Sequence, residues 1–160
     1  MTDTGQPLTH LDEAGHARMV DVSAKDISAR QARATGRVLL SAAAVAAVRA
    51  GRVPKGDALA VARIAGIQGA KRTPDLVPLC HPIALHGVTV DLTVNDDAVA
   101  ITATVRTADR TGVEMEALTS VTVAALALID MVKAVDPAAV ITDVRVEEKT
   151  GGKTGSWRRP

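Results

Sequence analysis

Two neighbouring segments of apolar–polar alternation, one long apolar helical run and the order of elements around them predict an α+β fold. Gly87 to Val94 (GVTVDLTV) and Ala98 to Arg106 (AVAITATVR) alternate with period two on either side of Asn95-Asp96-Asp97, and read as a β-hairpin. Ala117 to Val135 reads as the long apolar helix, stopped at Asp136-Pro137. With the flanking segments the order is strand, helix, strand, strand, helix, strand, plus one extra small helix on the N-terminal side. That order matches a split βαβ, ferredoxin-like plan with an antiparallel sheet.

The other elements follow along the chain. Met1 to Arg18 is polar with scattered Gly and Pro, and is expected to be a flexible arm. Met19 to Ser23 fits a short edge strand, and Gln31 to Leu40 a longer one. Ser41 is a fitting N-cap for the alanine-rich helix Ala42 to Ala50, which Gly51 ends. After the turn Pro54-Lys55-Gly56, Asp57 caps a helix whose apolar positions 59, 61, 64, 65 and 67 carry it to about Lys71. Pro74 and Pro78 are expected to end it and hold the backbone extended. Val140 to Glu148 makes the last strand. Residues 19–150 then form one catalytic domain, and 151–160 a glycine-rich basic tail. Two helices cover one face of the sheet; the other face calls for cover by association.

Composition narrows the function classes. The chain has one Trp and no Tyr or Phe, so Val, Leu, Ile and Ala must build the core. Aromatic side chains carry the largest buried areas, and a chain without them gains from burial at a subunit interface. The net charge of +1 gives no reason to expect a surface that coats nucleic acid. The one cysteine, Cys80, rules out an intrachain disulfide and a structural zinc site of several thiolates. The longest apolar stretch, Val121 to Ile129, is short for a bilayer span, and the N-terminal residues carry acidic side chains. A soluble, cytoplasmic protein is expected.

Three segments set charged or nucleophilic side chains against apolar runs: Lys71 to His81, Gly112 to Asp136 and Glu147 to Gly155. Such groups must be paired, desolvated or used, and their pKa values move. Asp130 and Lys133, three apart on the long helix, can form an ordinary ion pair or an acid/base couple. Glu114 and Glu116 point to one side if their segment is extended, and diverge by two 100° steps if it is helical. Cys80-His81 follows a proline-flanked turn; His81 fits a hydrogen-bond donor to a polar substrate better than a zinc ligand. Lys71-Arg72 suits either a solvated helix end or a phosphate. Gly152-Lys153-Thr154 mimics the end of a P-loop, but Glu147 stands where the first glycine would be. It remains a cationic glycine loop able to wrap phosphate with Lys149 or Lys153.

LCHP, GVEMEA, the Asp130-Met131-Val132-Lys133-Ala134-Val135 block and EEKTGGKTG, with LTHLDEAGHARMVDVS and KGDALAVARIAGIQGAKRT before them, resemble the MoaC family of cyclic pyranopterin monophosphate synthases. The likeness runs in order from about Leu8 to Gly155. It implies a ferredoxin-like fold assembled as a homohexamer, a trimer of dimers, with active sites at subunit interfaces. It implies a lyase of molybdenum cofactor biosynthesis that rearranges a 3′,8-cyclised dihydroguanosine triphosphate and releases pyrophosphate. Asp130, Lys133, Lys55, Glu114 and His81 then match the catalytic set. Leu79, Cys80, His81, Met115, Glu116, Lys71, Arg72 and Lys149 match substrate-contacting positions, and Lys153 joins them from the reading of the glycine loop. No metal-binding residues and no cofactor are implied, and whether Mg²⁺ accompanies the triphosphate stays open. The chain departs from the family at Ile129 and Val132, where an aromatic residue and a cysteine are frequent. A non-catalytic nucleotide-binding homologue on the same fold is the competing reading. An RNA-binding module is the third, disfavoured because the hairpin strands carry no aromatics.

Overall fold

The computed structural model describes residues 9–160. Its elements are β1 (Ser28–Leu39), α1 (Ala42–Arg49), α2 (Ala58–Lys71), α3 (Thr73–Leu76), β2 (Gly87–Val94), β3 (Ala98–Asp109), α4 (Glu114–Val132), β4 (Val140–Thr150) and β5 (Trp157–Arg158). All strand pairs are antiparallel, in the order β2-β3-β1-β4-β5. The first four strands therefore reproduce the ferredoxin-like order, and β5 adds a short fifth at one edge.

Period-two patterning puts the sheet's two faces to different uses. Ala32, Ala34 and Val38 of β1, with Ile101, Ala103 and Val105 of β3, are buried under the helices. Arg33, Thr35 and Arg37 line the opposite face, beside Thr102 and Thr104. That second face is Thr- and Arg-rich, so a surface that covers it by association would have to be polar. Arg33 pairs with Glu148 at 3.2 Å, and Thr35 donates to Glu147 at 2.6 Å.

The helix layer is α2 against α4, with α4 also crossing β1, β3 and β4. Close approach depends on small residues. A Cβ at Gly69 would come within 2.7 Å of the Val123 side chain, and one at Gly66 within 3.0 Å of the Ser120 carbonyl oxygen. Val121, Ala124, Ala125 and Leu128 fill the layer between helix and sheet. Cutting Leu128 back to Ala is worth about 2–5 kcal/mol at such a site. α4 has the length and apolarity of a bilayer span, but half of that stretch lies inside the fold.

Both expected caps form: Ser41 Oγ accepts from the Ala44 N–H, and Asp57 Oδ1 from the Ala60 N–H. Two local expectations fail. Residues 19–23 form no strand, because the sheet edges are already β2 and β5 and the segment lies over His81 instead. Pro74 does not hold an extended chain; it occupies the first turn of α3, where its missing N–H has no partner to lose. Within the basic tail, Trp157 and Arg158 pair with Lys149 and Glu148. Of the expected N-terminal arm, residues 1–8 lie outside the described residues. Residues 9–18 make a turn closed by a Leu11–Ala17 bridge, with the Asp12 carboxylate accepting from the Ala14 and His16 N–H groups.

Candidate active site

Most of the candidate residues gather at the two ends of α4. The helix starts at Glu114 rather than Ala117, with no side-chain cap and both glutamates in its first turn. The positive end of the helix dipole favours carboxylates there, which a pattern of apolar spacing does not register. Because the segment is helical, the two glutamates diverge. Glu114 reaches Lys149, whose Nζ donates to Oε1 at 2.6 Å. Glu116 turns inward and is 3% exposed.

Lys149 owes its direction to a β-bulge. Arg145 and Glu147 face the open side of the sheet with Thr35, and uninterrupted alternation would send Lys149 there too. The register between β1 and β4 shifts between Arg33 and Ala34, so Lys149 comes to stand opposite the buried Ala32, on the helix side. The loop after it is equally determined. Gly151 and Gly152 have φ of +89° and +74°, and a Cβ at Gly151 would overlap the Ala29 carbonyl oxygen. This loop, Lys149, Arg30 and Glu114 surround a cavity of about 90 Å³.

Beside it lies a cavity of about 440 Å³ lined by Leu79, Cys80, His81, Met115, Glu114 and Glu116, together with Thr9, His10, Val20, Val22, Lys25, Thr111 and Gly112. Six residues expected from the sequence thus meet in one place. His81 Nε2 donates to the Val20 carbonyl at 2.6 Å, which fixes the ring and leaves Nδ1 as the other polar atom of the ring. Burial pushes the Glu116 carboxyl up to about 7, with the Glu114 charge adding to the rise and its own backbone N–H opposing it. Burial also pushes the Cys80 thiol up, helped by the Glu116 charge.

The other end of α4 carries a different group. Asp130 takes Lys133 Nζ on Oδ1 at 2.8 Å and Lys55 Nζ on Oδ2 at 2.7 Å. Lys133 is the C-cap, and Lys55 comes from the loop before α2. The hydrogen bonds from Lys133 and then Lys55 lower the Asp130 carboxyl to about 2. Asp130 is 54% exposed, so one chain alone offers no desolvated cleft here. At 1.5 Å per residue, Asp130 stands about 21 Å along the axis from Glu116.

Three expected residues lie apart from both groups. Arg72 Nε is engaged by Asp75 at 2.6 Å, and Lys71 is an exposed last-turn residue. Lys153 is exposed at the tip of the glycine loop. The sequence reading missed Lys25, Thr9 and His10 in the larger cavity and Arg30 in the smaller. Nothing about a lysine or histidine in a polar stretch marks it as facing a cavity until the chain path is known. Among the described residues no three His, Cys, Asp or Glu side chains converge to hold a metal.

Residues 19–152 match the family model described as the MoaC family. A Streptomyces coelicolor protein named cyclic pyranopterin monophosphate synthase is 71% identical over 98% of this chain and 92% of its own length. Proteins of the same name from Streptomyces avermitilis and a Nocardioides species are 73% and 65% identical, over 95% and 100% of this chain and 89% and 100% of their own lengths. With its family model spanning β1 to β4 and both ends of α4, the chain belongs to the MoaC family.

Proposed function

We propose that the chain is a cyclic pyranopterin monophosphate synthase acting in the cytoplasm. It converts (8S)-3′,8-cyclo-7,8-dihydroguanosine 5′-triphosphate into cyclic pyranopterin monophosphate and pyrophosphate, a step of molybdenum cofactor biosynthesis. The observation that carries the reading is identity of 65–73% over nearly the full chain to relatives of that name.

The residues suit the chemistry. Ring rearrangement moves protons on and off carbon, nitrogen and sugar oxygen near neutral pH. Glu116, poised at about 7, takes and returns a proton there. His81, oriented by the Val20 carbonyl, offers Nδ1 as the neighbouring polar atom. Closure of the cyclic phosphate has a ribose-derived hydroxyl attack the α-phosphorus while the bond to the β-phosphate oxygen breaks and pyrophosphate leaves. Lys55 and Lys133, clamped side by side on Asp130, face that growing negative charge. Asp130, ionised at rest, serves as the fixed anion that holds the two ammonium groups in place. Lys149 and the glycine loop hold phosphate, and Lys25 and Arg30 add positive charge to the two cavities. Any Mg²⁺ enters on the triphosphate, whose oxygens bind it.

A single small substrate does not span 21 Å, so the complete site takes the Asp130 end of one chain and the Glu116 end of another. The protein is then a homo-oligomer with interfacial sites, in keeping with a hexamer built as a trimer of dimers. The test is anaerobic incubation with the cyclised triphosphate, following pyrophosphate and the fluorescent oxidised pterin together. Both products from the native protein and neither from Asp130→Asn support the reading. Binding without turnover supports the non-catalytic alternative.

A further inference from the structure

We propose that Asp136 is a positioning residue whose carboxylate ties the start of α1 to the end of α4 and so sets Lys55 against Lys133 on Asp130. The inference rests on the catalytic reading of Asp130, but its first test does not.

The two ammonium groups on Asp130 arrive from different elements. Lys133 ends α4, and its position follows from the helix, its N–H donating to the Ile129 carbonyl at 2.9 Å. Lys55 sits in the irregular segment between α1 and α2, so its place depends on where α1 is put. Besides the Lys55–Asp130 pair itself, a second polar bond joins the start of α1 to the turn after α4. Asp136 Oδ2 accepts from the Ser41 N–H at 2.6 Å, and Oδ1 accepts from the Ala138 N–H at 3.1 Å. Ser41 is the N-cap of α1, and the Asp136 N–H donates to the Val132 carbonyl at 2.9 Å, one residue before Lys133. Asp136 thus holds the beginning of the element that leads to Lys55 through its carboxylate and the turn that carries Lys133 through its backbone N–H. Asp136 is 7% exposed, which makes it one of the few buried charged residues among those described. A carboxylate in that position is held by its charge-assisted bonds to N–H groups, and removing it leaves both donors without their partner. Val53, buried in the same segment, anchors Lys55 to the apolar core, and Asp136 adds the polar bond at the start of α1.

A tether and a simple stabilising bond differ in what their loss does to Lys55. Brief acetylation with acetic anhydride, read by peptide mass spectrometry on the assembled protein, reports how freely each lysine amine reacts. In Asp136→Ala, Lys55 labelling rises several-fold relative to the exposed Lys71, and kcat falls at least tenfold with little change in KM. Asp136→Asn keeps an oxygen for the Ser41 N–H and restores much of both. Val105→Ala, a core truncation in β3 away from this end of α4, serves as the stability control. It lowers Tm while leaving the Lys55-to-Lys71 ratio at the native value. If Asp136→Ala leaves that ratio unchanged, or Val105→Ala raises it equally, the tether is wrong. If the ratio rises in Asp136→Ala and turnover is unaffected, the tether stands and the catalytic assignment of the Asp130 group falls. Should Asp136→Ala fail to fold, Ser41→Pro, which deletes the donor N–H while keeping the carboxylate, gives the same reading: a raised ratio supports the tether and a native ratio overturns it.

Discussion

Glu116 and Asp130 belong to the same helix yet stand about 21 Å apart along its axis at 1.5 Å per residue. One is buried beside His81 and Cys80; the other is open to solvent between two lysines. If each site combines the two ends from different chains, then Glu116→Gln and Asp130→Asn damage different contributions to it. Each variant alone is expected to lose nearly all of its activity. Unfolded together and refolded as a mixture, hybrids regain one undamaged site per pair, or about a quarter of native activity for a two-fold pair with random assortment. A mixture as dead as its components would show that both residues act from one chain.

Asp130 is best probed by a change that keeps its shape. Asp130→Asn retains the volume and leaves the Lys55 and Lys133 ammonium groups facing an uncharged amide. Loss of the anion is expected to lower kcat by about 10²–10³, the range for losing one preorganised electrostatic contact. The Glu114–Lys149 pair, at the far end of α4, is untouched, so substrate affinity measured by equilibrium dialysis should hold within a few-fold. Because Asp130 is held at about 2 in the native protein, the acid limb of the activity profile above pH 4 does not belong to it. An Asp130→Asn enzyme with native kcat would remove Asp130 from the mechanism.

The sequence made the hairpin, the two capped helices and the candidate residues legible because each has a local signal. Alternation marks β2 and β3; Ser41 and Asp57 mark helix starts; charge against an apolar run marks the site segments. What it hid is non-local. Val113 gives no capping signal, so the extra turn of α4 that separates Glu114 from Glu116 was invisible. The bulge that turns Lys149 toward α4 arises from pairing with β1, not from β4 itself. The polar character of the open sheet face was written in Arg33, Thr35 and Arg37, but only the strand pairing shows which face they share. Lys25 reaches the cavity because residues 19–25 lie over His81 instead of joining the sheet.

The glycine loop supplies a test of how Lys149 is held. At Gly151 a side chain meets two obstacles: φ is +89°, and a Cβ would overlap the Ala29 carbonyl oxygen. Neither can yield without moving backbone. Gly151→Ala is expected to cost about 1–3 kcal/mol of stability through strain at that position. It should also raise KM for the triphosphate more than it lowers kcat, since Lys149 shifts on the phosphate side. Gly155→Ala, with φ of +66° but no atom near its Cβ, tests the conformational part alone and should be the milder change. Equal losses at the two glycines would show that strain, not the clash with Ala29, sets the loop.

Glu116 ties stability to pH in an unusual direction. Its carboxyl titrates at about 7 in the folded chain against an ordinary 4.5, because burial disfavours the charged form. Between those values the folded chain binds the proton more tightly than the unfolded one, so stability falls as pH rises from 4.5 to 7. Below 4.5 the residue has no effect, and above 7 the penalty is complete. That penalty is on the order of 2 kcal/mol, since a tenfold change in proton affinity is worth about 1.4 kcal/mol and partial solvation reduces the whole. Glu116→Gln carries no such charge. Its Tm relative to the native protein should therefore climb from about pH 5 to about pH 8, even if it starts lower at the acid end through loss of a fitted side chain. Activity runs in parallel: if the protonated carboxyl is the acid, kcat/KM declines as pH passes about 7 and that limb disappears from the residual rate of Glu116→Gln. A Tm difference that stays flat with pH would mean that Glu116 titrates in the ordinary carboxylate range, and a group other than Glu116 would have to supply the proton at neutral pH.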